Sequence, residues 1–379
     1  MLRLAWSEPQ LRPRFTALFV TLVIIPLYSG MTAVFYLLDE LSPSLHRVRI
    51  EKPVFVVGHA RSGTTLLHRL VVSDAERFNF FLLYELLFPS LWQKRILRRI
   101  GAIDRLLLRS FFKKRLVAAE DQALEEARDM HEIGLFIPEE DDFVLTASCV
   151  ASTWVAMFPG LPEFDVYYVD EWPEKRRRRV MRAYADGVRR QLCISGAQKT
   201  HCSKNPSYSG RIESLIEQFP DARFVVMMRD PREAIPSLLK MLDKVWRQQG
   251  WSEARIEKSI RALIANSVHT YLYPLKVLGK HPETKWTVVD YRDLVSQPKA
   301  TVEAVCEALE IEMTPSTLAP LDAQQRRARA HRSSHRYDLE EFGIEETQLK
   351  RDLRELFDRF GWDASEKADN GAEQRSEHG

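Results

Sequence analysis

Five consecutive residues, Arg61-Ser62-Gly63-Thr64-Thr65, offer one guanidinium, three hydroxyls and a glycine at the junction of two apolar segments. Groups of this kind bind a compact anion. Upstream, Val54-Phe55-Val56-Val57 is a β-branched, apolar run of the sort found in a buried parallel strand. It breaks at Gly58, and apolar periodicity resumes at Leu66, Leu67 and Leu70, as in a helix packed on a sheet. Strand, glycine-bounded loop and helix together aim backbone N–H groups and a helix N-terminus at one anion. The spacing Gly58-x4-Gly63 is that of a phosphate-binding loop. A nucleoside triphosphatase, however, needs Lys where Thr64 stands, and a hydroxyl after it for Mg²⁺. With Arg61 as the cation, the loop suits a single phosphate group rather than a γ-phosphoryl and its metal. A tight turn that binds nothing would use the same glycines.

Two further places carry candidate chemistry. Glu85 is the one acid within the apolar, aromatic run Phe78 to Pro89. Burial among apolar groups raises a carboxylate's pKa and makes it a better proton acceptor near neutral pH. A helix N-terminus or an arginine would equally explain a glutamate there. The second place is Arg223 to Leu239, where an apolar strand ends at Arg229, Asp230 can cap a helix and Pro231 fits its first turn. Ser237 falls two turns into that helix, near a potentially distorting Pro236. Between these, a strand ending in His201-Cys-Ser-Lys204-Asn205-Pro206 points a lysine at the open carboxyl edge of the sheet.

Arg61 to Thr65 resembles the 5′-phosphosulfate loop of the sulfotransferases that use 3′-phosphoadenosine 5′-phosphosulfate (PAPS), which commonly reads Arg-Ser-Gly-Thr-Thr. Arg229-Asp-Pro-Arg-Glu, with Ser237 eight residues on, is similar to that family's 3′-phosphate motif. The resemblance runs from about Pro53 to Trp362 and implies a P-loop-like three-layer α/β/α sandwich with a parallel sheet. It implies that Arg61, Ser62, Gly63, Thr64 and Thr65 hold the 5′ end of the donor, and Arg229 and Ser237 the 3′ end. Arg336, in His335-Arg336-Tyr337, would meet a phosphate where the chain folds over the nucleotide. Glu85 would be the catalytic base, by its distance from the loop in branches that include those acting on protein tyrosines. His201 is held in reserve, because Lys199-Thr-His201 resembles a tripeptide whose histidine is the base in cytosolic sulfotransferases. The implied reaction is sulfuryl transfer to an acceptor hydroxyl without a metal. A P-loop nucleotide kinase or NTPase, and a non-catalytic membrane-bound nucleotide-binding scaffold, stand as alternatives.

The elements that position these residues are set by the rest of the chain. At 379 residues and 45% hydrophobic content, the chain can bury one large α/β core. Its formal net charge of +2 does not argue for nucleic acid, despite the run Lys175 to Arg179, which reads as a charged helix face. Four scattered cysteines have no metal-ligand spacing, and a reducing compartment is the default. Phe15 to Leu38 holds no charge over 24 positions, enough for a helix to cross ~30 Å of hydrocarbon. Pro26 would kink such a helix and leaves room for a re-entrant or interfacial hairpin. Core helices of a soluble domain would read the same way. The expectation is a membrane-associated segment over 1–50, a sulfotransferase domain over 51–362 on the cytoplasmic face, and a disordered tail over 363–379. The apolar N-terminus and the aromatics around Glu85 suggest a lipid-like acceptor. Pro138 to Phe143, an acidic run before an apolar segment, reads as the start of a helix, with a pocket role open.

Overall fold

The computed structural model describes residues 1–123, 133–161, 165–328 and 339–363. Five parallel strands form one sheet: β1 (Val54–Gly58), β2 (Phe78–Asn79), β3 (Thr200–Lys204), β4 (Arg223–Met228) and β5 (Lys285–Asp290). Their order is β2-β3-β1-β4-β5. β1 is central, with Val54 opposite Cys202 on one side and Arg223 on the other. Every residue of β1 and β4 is buried, so neither strand shows the polar alternation of a half-exposed one.

Side chains alternate across a strand, and this sorts the core into two layers. Val54, Val56, Val225, Met227 and Val289 pack with Leu67, Leu70, Val302 and Val305 on one face. Phe55, Val57, Phe224, Val226 and Met228 pack on the other with Tyr184, Leu215, Ile235, Leu239 and Trp246. A parallel sheet with helices on both faces results, the sandwich expected from the sequence.

The helices that matter below are few. α1 (Leu11–Asp39) is the long apolar one. A π-turn over Val20–Ile24 precedes Pro26, and the helix then runs on to Asp39 without a hairpin. Proline has no N–H for the carbonyl four residues back, and its ring crowds that carbonyl; a widened turn relieves both. α2 (Thr64–Val71) follows the anion loop, and α3 (Leu83–Leu87) carries Glu85. α4 (Leu91–Leu107) is capped by Ser90, whose hydroxyl accepts from the Trp92 N–H, and α5 (Phe111–Ala123) comes next. α6 (Glu174–Ser195) holds the basic run, α7 (Pro231–Gln249) continues through Pro236, and α8 (Glu253–Leu278) packs beside it.

The acidic run does not start an α-helix; Asp141–Ser148 is a 3-10 segment. Its carboxylates turn inward. Asp141 accepts from Tyr184, Ser203 and His201, and Asp142 from the backbone and side chain of Ser152. These bonds hold the chain in a tight turn against the sheet.

Candidate active site

A cavity of about 600 Å³ opens at the carboxyl edge of the sheet. Residues just beyond four strand ends line it: His59 to Arg61 and Gly63 to Leu66 after β1, Pro206 and Ser207 after β3, Arg229 after β4 and Tyr291 after β5. That edge is where ligands of open parallel sheets bind.

The anion loop has its shape because of two glycines. Gly58 has φ +132°, and a Cβ there would lie 2.3 Å from the Met227 carbonyl oxygen on β4. Gly63 has φ +87°, and its Cβ would lie 2.6 Å from Cδ2 of Tyr291. Arg61 also has a positive φ, +68°, which an L-residue adopts at a cost of about 1 kcal/mol or more. Its carbonyl is held there by Arg229, whose Nη1 donates to it at 3.0 Å. Ser209 secures the loop's start, accepting from the Gly58 N–H at 2.9 Å and donating to the Gly58 carbonyl at 3.0 Å. Thr64 opens α2, whose first N–H groups have no intrahelical partner and face the loop. His59 is buried, stacked on Tyr271 at 5.0 Å, and burial pushes its pKa down to about 4, so it adds no charge at neutral pH.

The two arginine motifs meet. Besides holding Arg61, Arg229 donates through Nε and Nη2 to Glu233, and its guanidinium lies 4.4 Å over the Tyr291 ring. Arg61 Nε donates to Ser237 Oγ at 3.2 Å. Arg61, Arg229, Gly63, Thr64 and Thr65 all line the cavity, and Ser62 and Ser237 are buried beside it. Arg336, with His335 and Tyr337, lies outside the described residues.

Another wall of the cavity is acidic. Glu139 and Glu140 line it, and between them sits Lys204, fully buried at the end of β3. Lys204 Nζ lies 3.3 Å from Glu139 Oε1 and 3.2 Å from Glu140 Oε1. Burial disfavours the ammonium, yet Glu140 and Glu139 outweigh it and hold Lys204 above the usual lysine range. Two carboxylates share one ammonium, so the cluster can accept a proton and leave Lys204 still paired. Apolar residues, among them Phe143, Val155, Leu238, Met241 and Leu263, line the rest of the cavity.

Glu85 is placed differently from the expectation. It does not line the cavity. Its carboxylate is buried and accepts from four donors: the Leu82 N–H at 3.1 Å, Tyr84 at 3.2 Å, Arg98 at 3.0 Å and Gln191 at 2.7 Å. The N-terminus of α3 and the Arg98 guanidinium together satisfy this glutamate. His201 is also off the cavity, bonded to Asn79 at 2.9 Å and Asp141 at 3.0 Å. Sequence reasoning missed the Glu139–Lys204–Glu140 cluster because its partners lie more than 60 residues apart. The available signal was a strand-end lysine together with an unexplained acidic run.

Known proteins resemble this chain in sequence and in fold. The profile of a family described as "Sulfotransferase family" matches residues 53–315. The omega-hydroxy-beta-dihydromenaquinone-9 sulfotransferase Stf3 of Mycobacterium bovis is 26% identical over 320 residues, covering 83% of this chain and 76% of that protein. Stf3 of Mycobacterium tuberculosis matches to the same extent. The crystal structure of sulfotransferase STF9 from Mycobacterium avium superposes with a TM-score of 0.70 at 19% identity, over 94% of this chain and 88% of that one. Sulfotransferase STF1 from Mycobacterium tuberculosis H37Rv gives 0.60 at 20% identity, over 83% and 79%. These two share the fold, and nothing in the comparisons supports a kinase or NTPase. The family match spans well over half the length, and the chain belongs to the sulfotransferase family.

Proposed function

We propose that this sulfotransferase moves the sulfuryl group of PAPS to a hydroxyl of a lipid-like acceptor, working at the cytoplasmic face of a membrane. The observation that carries the donor is the meeting of two anion-binding motifs on one cavity. Arg61 reaches Ser237 at 3.2 Å, and Arg229 reaches the Arg61 carbonyl at 3.0 Å. One nucleotide with phosphates at both ends of its ribose can touch both. The residues fit the group: Arg61, Thr64 and Thr65 line the cavity at the N-terminus of α2, and Gly58 and Gly63, where a Cβ would strike backbone or ring, let the loop turn tightly against β4 and Tyr291. Arg61 to Thr65 would hold the 5′-phosphosulfate, with Arg229 and Ser237 on the 3′-phosphate. Arg336 remains a candidate for the same phosphates.

Glu140 is the better candidate for the base, replacing Glu85. It lines the cavity with its side chain 27% exposed, against 5% for Glu139. In the transfer, the acceptor oxygen bonds sulfur and its proton passes to the Glu140 carboxylate. The S–O bond to the 5′-phosphate breaks, and its electron pair stays on adenosine 3′,5′-bisphosphate. Arg61 and the N-terminus of α2 stabilise that developing charge.

Three observations support a lipid-like acceptor: the apolar wall of the cavity, the exposed apolar face of α1, and the menaquinone-derived alcohol in the name of the relative Stf3. Cytosolic synthesis of the nucleotide supports the cytoplasmic face. Incubating the chain and a membrane extract with ³⁵S-labelled PAPS should yield a labelled, organic-extractable sulfate ester. Transfer only to water, or to no extractable lipid, would remove the acceptor assignment.

A further inference from the structure

We infer that α1 does not cross a bilayer but lies in its plane, docking the domain on an anionic phospholipid surface through a face shared with α4. The inference deepens the membrane-associated reading above and rests on it, but not on the donor or acceptor.

α1 has the reverse of the polarity a water-exposed helix would have. From Tyr28 onward its polar residues face the protein, although Arg12 and Thr16 near its start are exposed. Tyr28 donates to the Leu86 carbonyl at 3.3 Å, and Ser29 to the Ala147 carbonyl at 3.0 Å. Thr32 is buried, and Asp39 is fully buried. Its apolar residues face out: Leu11, Phe15, Phe19, Leu27, Val34 and Leu37 are each more than half exposed. Water penalises that arrangement and hydrocarbon favours it.

The same helix is fastened along its length. Just before it, Glu8 pairs with Arg255 at 2.7 Å. Ala17 and Val20 enter the main core. At its end, Asp39 accepts from the N–H groups of Leu91 and Trp92 and pairs with Arg190 at 2.8 Å. A 29-residue helix is ~44 Å long. Spanning would require it to leave these partners, whereas lying flat keeps every bond.

α4 extends the face. It packs against α1 and carries an exposed stripe of Trp92, Ile96, Ile100, Ile103 and Leu107 at helical spacing. Charge then selects the occupant. Residues 91–123 hold nine Lys or Arg, of which Lys94 is buried, against three acids: Asp104, which is buried, and Glu120 and Asp121 at the far end of α5. Two copies facing each other would oppose like charges; an anionic headgroup layer complements them.

The test is flotation of the full chain with vesicles of phosphatidylcholine alone or with one quarter phosphatidylglycerol. Binding should be at least about tenfold tighter to the anionic vesicles, as several basic residues at the surface require. The pair Ile96→Glu and Ile103→Glu should weaken it by about tenfold or more, while binding of adenosine 3′,5′-bisphosphate is unchanged, which separates this inference from the proposed reaction. Gln10→Cys and His46→Cys flank α1, and in a background with Cys149 and Cys193 changed to Ser an impermeant maleimide should label both from the same side of the vesicle. Labelling from opposite sides, or a soluble dimer that ignores vesicles, would overturn the inference.

Discussion

Glu140→Gln and Glu85→Gln, compared side by side, decide which carboxylate takes the acceptor's proton. Glu140 faces the cavity and shares Lys204 with Glu139, whereas Glu85 is sealed among four donors away from it. A general base contributes about 10²–10⁴-fold to turnover. Glu140→Gln should lower kcat into that range with little loss of stability, because Lys204 keeps Glu139 at 3.3 Å. Glu85→Gln removes a charge from a pair whose arginine is 43% exposed, so solvent screens part of the loss. Its carboxylate is nevertheless buried, and an amide would turn N–H groups toward existing donors, a cost of about 1–3 kcal/mol. This variant should melt earlier and keep most of its kcat at a temperature where it is folded. The assay pairs transfer from ³⁵S-labelled PAPS with a thermal melt of the same preparation. If Glu85→Gln abolished turnover at unchanged melting temperature while Glu140→Gln stayed active, the argument from cavity lining and charge pairing would be refuted.

Other outcomes follow from the same contacts. Arg61→Ala should cost far more in turnover than in folding, whereas Arg229→Ala should mainly weaken binding of adenosine 3′,5′-bisphosphate, by about 10- to 150-fold for one charge-assisted contact, read by calorimetry. Equal unfolding of both would count against the assignment. Gly63→Ala would put a Cβ 2.6 Å from Tyr291 Cδ2 at φ +87°, shifting the ring that Arg229 lies over. Nucleotide affinity should fall by more than the loss in melting temperature explains. Lys94 offers a pH test, since burial pushes its pKa down to about 7. The unfolded chain binds this proton up to its ordinary pKa near 10.5 while the folded chain releases it above about 7. Stability therefore rises with pH across that window, and Lys94→Met should flatten the rise in urea melts between pH 7 and 9. An unchanged slope would show that the ammonium stays charged in the fold.

What the sequence made legible divides along the distance over which each signal acts. β1, its loop and α2 are contiguous, so Gly58, Arg61 and Gly63 could be read as one device from spacing alone. The strand ending at Arg229 and the helix capped by Asp230 were legible for the same reason. That the two arginines would touch was not a local property; it follows from β1 and β4 pairing in register, Gly58 beside Met227. Glu85 shows the converse. Burial was read correctly, but whether a buried carboxylate is reactive or satisfied depends on Arg98 and Gln191, and Gln191 lies 106 residues away. The acidic run Glu139 to Asp142 looked like a helix start because acids favour that place in general. Lys204 and Ser203 on β3 instead draw Glu139, Glu140 and Asp141 inward. Apolar α1 was visible at once, yet its length fits a spanning and a flat helix equally. The inward direction of Tyr28, Ser29, Thr32 and Asp39 is a property of the fold, and periodicity alone does not say which face meets the protein. For Glu85 and for the acidic run, the surroundings are set by partners across the fold, so residue type bounds the chemistry and tertiary pairing decides which groups face the cavity.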